Sequence, residues 1–400
     1  MSSHKNIIIA LDEGTTNAKA VALDAAGKVI VKFNQPLSIQ TPREGWVEQS
    51  GTALVEASVK VIAQAIDAVG AENVVALAIS NQRETAIGWY RSNGMPLHAA
   101  ISWQCSRTAD FCDALRRDNK EQTIKAVTGL PIAPLFSGSK MRWLIESTPN
   151  GQALGEAGCV KATYGTGSSV MAPVTSAQCN IHALATTLAW HDGEQLIYGL
   201  EGNIPHTGDG VAWMADSTGL SELPETELAA ELNSLPASVE STLGVYFVPA
   251  LTGLGAPWWD ENARGVICGL SRGVKRAHLI RAALEAITYQ IADVVTAMRQ
   301  HNDFTLTALM VDGGPTKNDW LMQYQSDLLG CPVMRSDVPE LSAIGAALLA
   351  RKAVGQLSLD ELKQYLYPHS EFRPNMERHG RLQKRWREWQ QAVERTLHKF

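Results

Sequence analysis

The run Ile7-Ile8-Ile9-Ala10-Leu11, closing on Asp12-Glu13-Gly14-Thr15-Thr16, constrains this chain more than any other stretch. A continuous apolar run stopped by a polar, glycine-containing turn is a buried strand feeding a tight loop, and Val21-Ala22-Leu23 reads as the returning strand. At such a turn Gly14 lets backbone N–H groups point into open space and Thr15 and Thr16 add hydroxyls. Asp12 supplies a carboxylate suited to the water shell of a magnesium ion. The same residues also suit an ordinary hairpin with polar turn chemistry, and this stretch alone leaves both readings open.

The pattern recurs. Lys161-Ala162-Thr163-Tyr164-Gly165-Thr166-Gly167-Ser168-Ser169 sets a second Gly/Thr turn among strand formers, and strand-like runs follow around Leu184 to Trp190 and Leu196 to Leu200. Two similar hairpins suggest two related half-domains, and a phosphate chain held between facing hairpins is the arrangement of the actin-like ATPases. Four hundred residues exceed what one hydrophobic core organises. The junction Ser147-Thr148-Pro149-Asn150-Gly151 is dense in helix-stopping residues, so the chain is divided into domains 1–158 and 159–400. A net charge of -6 gives no global attraction to nucleic acid or an anionic membrane. No apolar run approaches the roughly 18 residues of a membrane span, and the run at Ile7 is too short for a signal peptide. The six cysteines are scattered without a C-x-x-C pair, which argues against zinc and disulfides and for a cytoplasmic enzyme with buried thiols.

Taken in order, Ala53 to Val69 is helical by periodicity and stops at Gly70, and Val74 to Ile79 reads as another buried strand. It runs into Ser80-Asn81-Gln82-Arg83-Glu84-Thr85, at the strand end where open α/β sheets place ligand groups. Arg83 and Glu84 there suit gripping hydroxyls, or an ordinary surface ion pair. Trp103 offers an indole face for a small polyol, or a core side chain. Thr108 to Lys140 is expected to be mainly helical with breaks at Gly129, Pro131 and Pro134, with a further helix over Met141 to Glu146. Gly202 to Trp213 is expected to run from a turn into a helix, and His278 to Met298 is the strongest helix, with one apolar stripe. Asp312-Gly313-Gly314-Pro315-Thr316-Lys317-Asn318 is a strand-to-helix turn permitting close approach of a flat ligand or its phosphates. Leu341 to Ala350 is a small-residue helix in which Gly345 allows tight packing. The C-terminal helix docks Leu382, Trp386, Trp389, Val393 and Leu397, leaving Arg381, Lys384, Arg385 and Arg387 as a solvated cationic face.

With Phe136-Ser137-Gly138-Ser139-Lys140 and Thr252-Gly253-Leu254-Gly255-Ala256-Pro257 added, these motifs stand in the order found in glycerol kinases, and the chain resembles those members of the FGGY carbohydrate kinases from end to end. The resemblance implies an α/β, actin-like (ribonuclease H-like) two-domain ATPase that holds MgATP and a polyol in its interdomain cleft. Asp12 would organise Mg2+, while Gly14, Thr15, Thr16, Gly165, Thr166 and Gly167 would hold phosphates. Gly313, Gly314 and Asn318 match the adenosine motif, Gly208 a nucleotide-contacting glycine, and Arg83, Glu84 and Trp103 the glycerol-binding positions. A terminal hydroxyl would attack the γ-phosphorus in line.

The resemblance breaks once. Family members carry roughly a hundred more residues between Met141 and Tyr164, enough for several elements. That stretch finishes the first domain's sheet and brings a Gly-Asp-Gln motif whose Asp accepts the hydroxyl proton. Here Gly151-Gln152-Ala153-Leu154-Gly155-Glu156 carries no Asp at that position, so the general base is expected to be absent, the first sheet short, and a new strand edge exposed. Leu135 stands where family members often have an aromatic residue against glycerol. Three readings follow: a glycerol kinase without its usual base, a pseudokinase that binds ATP and polyol without turnover, or a kinase for another small polyol or sugar. Family members often associate, which makes a homo-oligomer a candidate state.

Overall fold

The computed structural model describes residues 6–90, 93–147, 168–174, 183–191, 196–300, 305–336, 341–357, 361 and 369–397. In chain order the elements begin with β1 (Ile7–Glu13), β2 (Asn17–Leu23), β3 (Val29–Pro36), β4 (Glu48–Gln49), α1 (Gly51–Val69), β5 (Val74–Asn81) and β6 (Ala100–Ile101). Then come α2 (Ala109–Arg117), α3 (Glu121–Thr128), α4 (Ser137–Ser147), β7 (Ser168–Val174), β8 (Ala185–His191), β9 (Leu196–Ile204), α5 (Gly208–Ser217) and α6 (Glu225–Ser234). The remainder is β10 (Tyr246–Val248), β11 (Val266–Cys268), α7 (Arg276–Met298), β12 (Leu309–Val311), α8 (Asp319–Leu329), β13 (Val333–Ser336), α9 (Leu341–Ala353), β14 (His369–Phe372) and α10 (Met376–Glu394). These elements form two compact, interleaved units. One draws on Met1–Thr108, Pro134–Gly165 and Asp337–Pro368, the other on Ala109–Ala133, Thr166–Ser336 and His369–Phe400.

The first unit is built on the expected hairpin. β1 and β2 pair antiparallel with Asp12 opposite Lys19, β3 continues on β2, and β5 joins β1 in parallel, giving the order β3-β2-β1-β5. Because side chains alternate across a strand, Ile7, Ile9 and Leu11 face α1 and its Ala57, Val61 and Ala65. Ile8 and Ala10 face the opposite way, onto Ala343, Ile344 and Ala347 of α9. The Ser50 hydroxyl caps α1 by accepting from Ala53 N, and Gly70 ends the helix at φ 83. Such a cap contributes about 1 kcal/mol. Gly345 of α9 sits where an added Cβ would touch nothing, so close packing is not the reason for a glycine there.

β5 departs from expectation. Its run of apolar residues reads as buried, yet Val75, Leu77 and Ile79 are exposed and only Ala78 is buried. The helix α1 spreads over β1, β2 and β3 and leaves that face of β5 open. Among the described residues no strand pairs with its outer edge.

In the second unit β7, β9 and β8 form one antiparallel sheet, while β12, β13 and β14 form another. Gly202 to Ile204 continue β9 instead of forming a turn, and the following helix starts at Gly208. In place of one apolar stripe on α7, every residue from Ile280 to Gln290 is buried. The polar ones pair inside: Glu285 accepts from Arg281 Nε at 2.8 Å, from Tyr289 Oη at 2.9 Å and from Arg385 Nη2 at 2.8 Å. Arg385 therefore leaves the expected cationic face of α10, on which Arg381, Lys384 and Arg387 remain exposed. Trp389 of α10 is fully buried and donates its indole N–H to Phe247 O at 2.9 Å.

Two smaller expectations also change. Residues 130–136 are not helical, and α4 begins at Ser137, ahead of Met141. Cys105, Cys112, Cys268 and Cys331 are free thiols, and among the described residues no helix is long and apolar enough to cross a membrane.

Candidate active site

In the first unit the β1–β2 turn closes with Gly14 N donating to Asn17 O at 2.9 Å, and an added Cβ on Gly14 would crowd that oxygen at 3.1 Å. Thr16 is exposed at the tip, whereas Thr15 is buried. The Thr15 hydroxyl accepts from Trp103 Nε1 at 3.0 Å, and its carbonyl accepts from Gln49 Nε2 at 2.8 Å. Trp103 is itself buried, so its indole ties the 103 loop to the hairpin. Accepting that bond leaves the Thr15 hydroxyl its own hydrogen to donate.

These bonds belong to a larger ring. Trp103 N donates to Thr85 Oγ1, Thr85 Oγ1 to Gln82 Oε1, and Gln82 Nε2 to both Gln49 Oε1 and Glu13 Oε1, the last at 2.8 Å. A buried polar ring in which each member is partnered is rigid, and here it fixes the hairpin, the 81–85 segment and the 103 segment as one frame. Gln82 stood inside a recognised motif without a role. Gln49 lies in a two-residue strand, too short to show a pattern, and its carboxamide could not have been read from the sequence.

Arg83 and Glu84 leave this frame side by side. Glu84 adopts the left-handed backbone region, φ 62, uncommon for a residue with a long side chain and a form of strain that concentrates at functional positions. Its carboxylate accepts from the Ser137 backbone N at 2.8 Å and from Ser137 Oγ at 2.6 Å, at the first residue of α4. A carboxylate there meets the positive end of the helix dipole. The loop carrying Leu135 and Phe136 is held from below by the fully buried Lys140, whose ammonium donates to the Pro134 and Leu135 carbonyls. Ser137 and Lys140 are thus supports that sequence reading placed within a motif but gave no task.

Asp12 is half-buried at the end of β1, beside the turn. Among the described residues no three His, Cys, Asp or Glu side chains cluster as a metal cage. A single carboxylate fits Mg2+, which keeps most of its waters and uses one or two carboxylates together with substrate phosphates.

In the second unit Gly208 opens α5, and a Cβ there would meet Pro315 Cγ at 3.4 Å, so the start of α5 abuts the turn after β12. That turn carries Gly313 at φ 99, and neither Gly313 nor Gly314 would bring an added Cβ within 4 Å of anything, which leaves room above the backbone. Asn318 is buried as the N-cap of α8, its Oδ1 accepting from Leu321 N at 2.9 Å and its Nδ2 donating to Leu232 O at 3.2 Å. Gly165, Thr166 and Gly167 lie outside the described residues.

One cluster in this unit gave no sequence signal. His206 Nε2 accepts from Thr252 N at 3.0 Å, so its Nδ1 carries the hydrogen and donates to Asp209 Oδ2 at 2.7 Å. This binds the 252–257 motif to the first turn of α5. Its members are far apart in sequence, and only the fold brings them together.

The N-terminal domain model of the FGGY family of carbohydrate kinases matches residues 7–172, and the C-terminal domain model matches residues 160–354. An apulose kinase of Pectobacterium atrosepticum is 34% identical over 98% of each chain. A glycerol kinase of Caldanaerobacter subterraneus subsp. tengcongensis is 33% identical, again over 98% of each. Both alignments run over 494 positions against 400 residues here, so the relatives carry segments that this chain lacks. Among solved structures, Plasmodium falciparum glycerol kinase with ADP superimposes with a TM-score of 0.78 at 24% identity, covering 99% of each chain. Lactobacillus acidophilus xylulose kinase gives 0.79 at 18% identity, covering 98% of each chain. The fold is the actin-like two-domain ATPase fold, and the chain belongs to the FGGY family of carbohydrate kinases.

Proposed function

We propose that the chain phosphorylates a terminal hydroxyl of a small polyol at the expense of ATP, with glycerol as substrate and sn-glycerol 3-phosphate as product. The observation that carries this reading is the hydrogen-bonded frame of the first unit. It joins the phosphate-type hairpin at Thr15 to Arg83 and Glu84, and Ser137 fixes the Glu84 carboxylate in one orientation. The glycerol kinases among the relatives support the choice of substrate. An apulose kinase at similar identity keeps a branched or longer sugar as the competitor.

On this reading Arg83 and Glu84 hold the hydroxyls, and Trp103 braces the frame beneath them. Gly14, Thr15 and Thr16 meet phosphate from the 1–158 half. Gly165, Thr166, Gly167, Gly208, Gly313, Gly314 and Asn318 serve the nucleotide from the 159–400 half. Magnesium bound through water at Asp12 supplies charge neutralisation for the phosphates. Positioning and charge stabilisation account for most of such a reaction. A missing general base costs about 10²- to 10⁴-fold and leaves slow transfer in place. The cytoplasm, where ATP is made available, is the fitting compartment.

A second reading is a pseudokinase that binds both ligands without turnover. It is favoured by the 494-position alignments, which leave this chain short of its relatives, and by the absence of an Asp in Gly151 to Glu156. Glycerol-dependent ADP release with MgATP, compared with Asp12→Ala, separates the two. Turnover well above the variant supports the kinase. Equal rates from two folded proteins, with glycerol and ATP still raising the melting temperature, support the pseudokinase.

A further inference from the structure

The outer side of β5 is the least finished surface among the described residues. Val75, Leu77 and Ile79 are 42%, 47% and 56% exposed, and no strand lies beyond them. The neighbouring flank of α1 adds Val55 and Val59, 63% and 59% exposed, on the side turned away from Lys60, which bonds to Gln35 of β3. Five half-exposed aliphatic side chains offer on the order of 400 Å2 of apolar surface, the size at which a patch on a soluble chain marks an interaction site.

Edge strands that must stay single are usually guarded by charge, proline or a bulge at the free side. The β5 sequence Val-Val-Ala-Leu-Ala-Ile-Ser-Asn contains no charged residue and no proline. The only irregularity in its pairing is at its first residues, against Ile7 and Ile8. A free edge of this kind is satisfied by another strand. An uncharged strand meets its own copy without like-charge repulsion, and antiparallel pairing about a two-fold axis lets one patch complement itself.

We propose that β5 is a self-association surface, pairing antiparallel with β5 of a second copy so that the two four-stranded sheets become continuous. Leu77 and Ile79 of each copy then lie beside those of the other as cross-strand neighbours. Two apolar patches and the paired strand edges together reach the low end of specific interfaces, about 1,200 Å2 in total. The dimer is therefore concentration-dependent, with dissociation in the micromolar range.

The test uses the full chain, by sedimentation equilibrium from about 1 to 100 μM, with hydrogen exchange followed at both ends of the range. The expected result is a mass rising from one chain towards two, with exchange at residues 74–81 slowing as it does. Leu77→Lys and Ile79→Lys are expected to hold the mass at one chain with unchanged thermal unfolding. A single-chain mass throughout overturns the proposal. So does a dimer whose β5 amides exchange at the same rate at both concentrations, or open-ended growth past two copies. The exchange measurement is made on the unsubstituted chain, so it decides even if a lysine variant fails to fold.

Discussion

Helix α7 and strand β5 are both rich in apolar residues, yet one is buried on nearly every face and the other is half exposed. The difference lies in what surrounds them. Around α7 pack α5, α8, β10 and the C-terminal helix, so even its charged residues are enclosed and paired. Around β5 there is β1 on one side and α9 on one face, and nothing described covers the remainder. Burial belongs to the neighbourhood, and an apolar run states only what it could satisfy if neighbours came.

The strongest way to break this comparison is Glu285→Ala in α7. It leaves Arg281 and Arg385 without their buried carboxylate and should cost about 3–5 kcal/mol in urea unfolding. A cost below 1 kcal/mol would mean that water reaches the pair and that α7 is less enclosed than its burial implies.

Asp293 sharpens the same point by pH. Desolvation pushes its carboxyl up to about 7, against the pull of N–H donors on Gln390, Trp386 and Trp258. The folded state then holds an extra proton between the unfolded aspartate value, about 3.9, and neutrality. Stability should be greatest below that window and fall as pH rises through it, by at most about 1.4 kcal/mol per pH unit. Asp293→Asn should flatten the profile, and an unchanged slope would assign it to other groups.

The support of Glu84 lies between the two extremes, being held by only two printed bonds from Ser137. Ser137→Ala removes one of them and should raise the KM for glycerol about tenfold, the equivalent of about 1.4 kcal/mol. The melting temperature should hold, and Ser137→Thr should restore affinity. The smallest effect belongs to β5. Leu77→Ala should change unfolding free energy by no more than about 0.5 kcal/mol, whereas Leu284→Ala in α7 should cost about 2–5 kcal/mol.

What could be read in advance follows the same division. The β1–β2 hairpin and α1 were legible because their signals are local: an apolar run with a Gly/Thr turn, and a four-residue spacing between Ser50 and Gly70. The β5 strand was legible as a strand and misread as buried, because burial depends on residues elsewhere. At the candidate site, Asp12, Arg83 and Glu84 were legible by motif order. The Ser137 clamp, the Gln49 link and the His206–Thr252 contact depend on residues that only the fold makes neighbours. Asn318 shows how one residue can carry two signals, since the position read for adenosine is also the N-cap of α8.

The packing of α9 on β1 and β5 also sets an order in time. Its Ala343, Ile344 and Ala347 complete a face of the first sheet, and its Arg351 donates to the carbonyls of Asp24 and Ala25. A ribosome releases the hairpin first and this helix near the end, so the first unit stays open on one face through most of synthesis. A nascent chain halted after α8 should therefore bind chaperones through Ile8, Ala10 and Val21. Release of α9 would end that vulnerability.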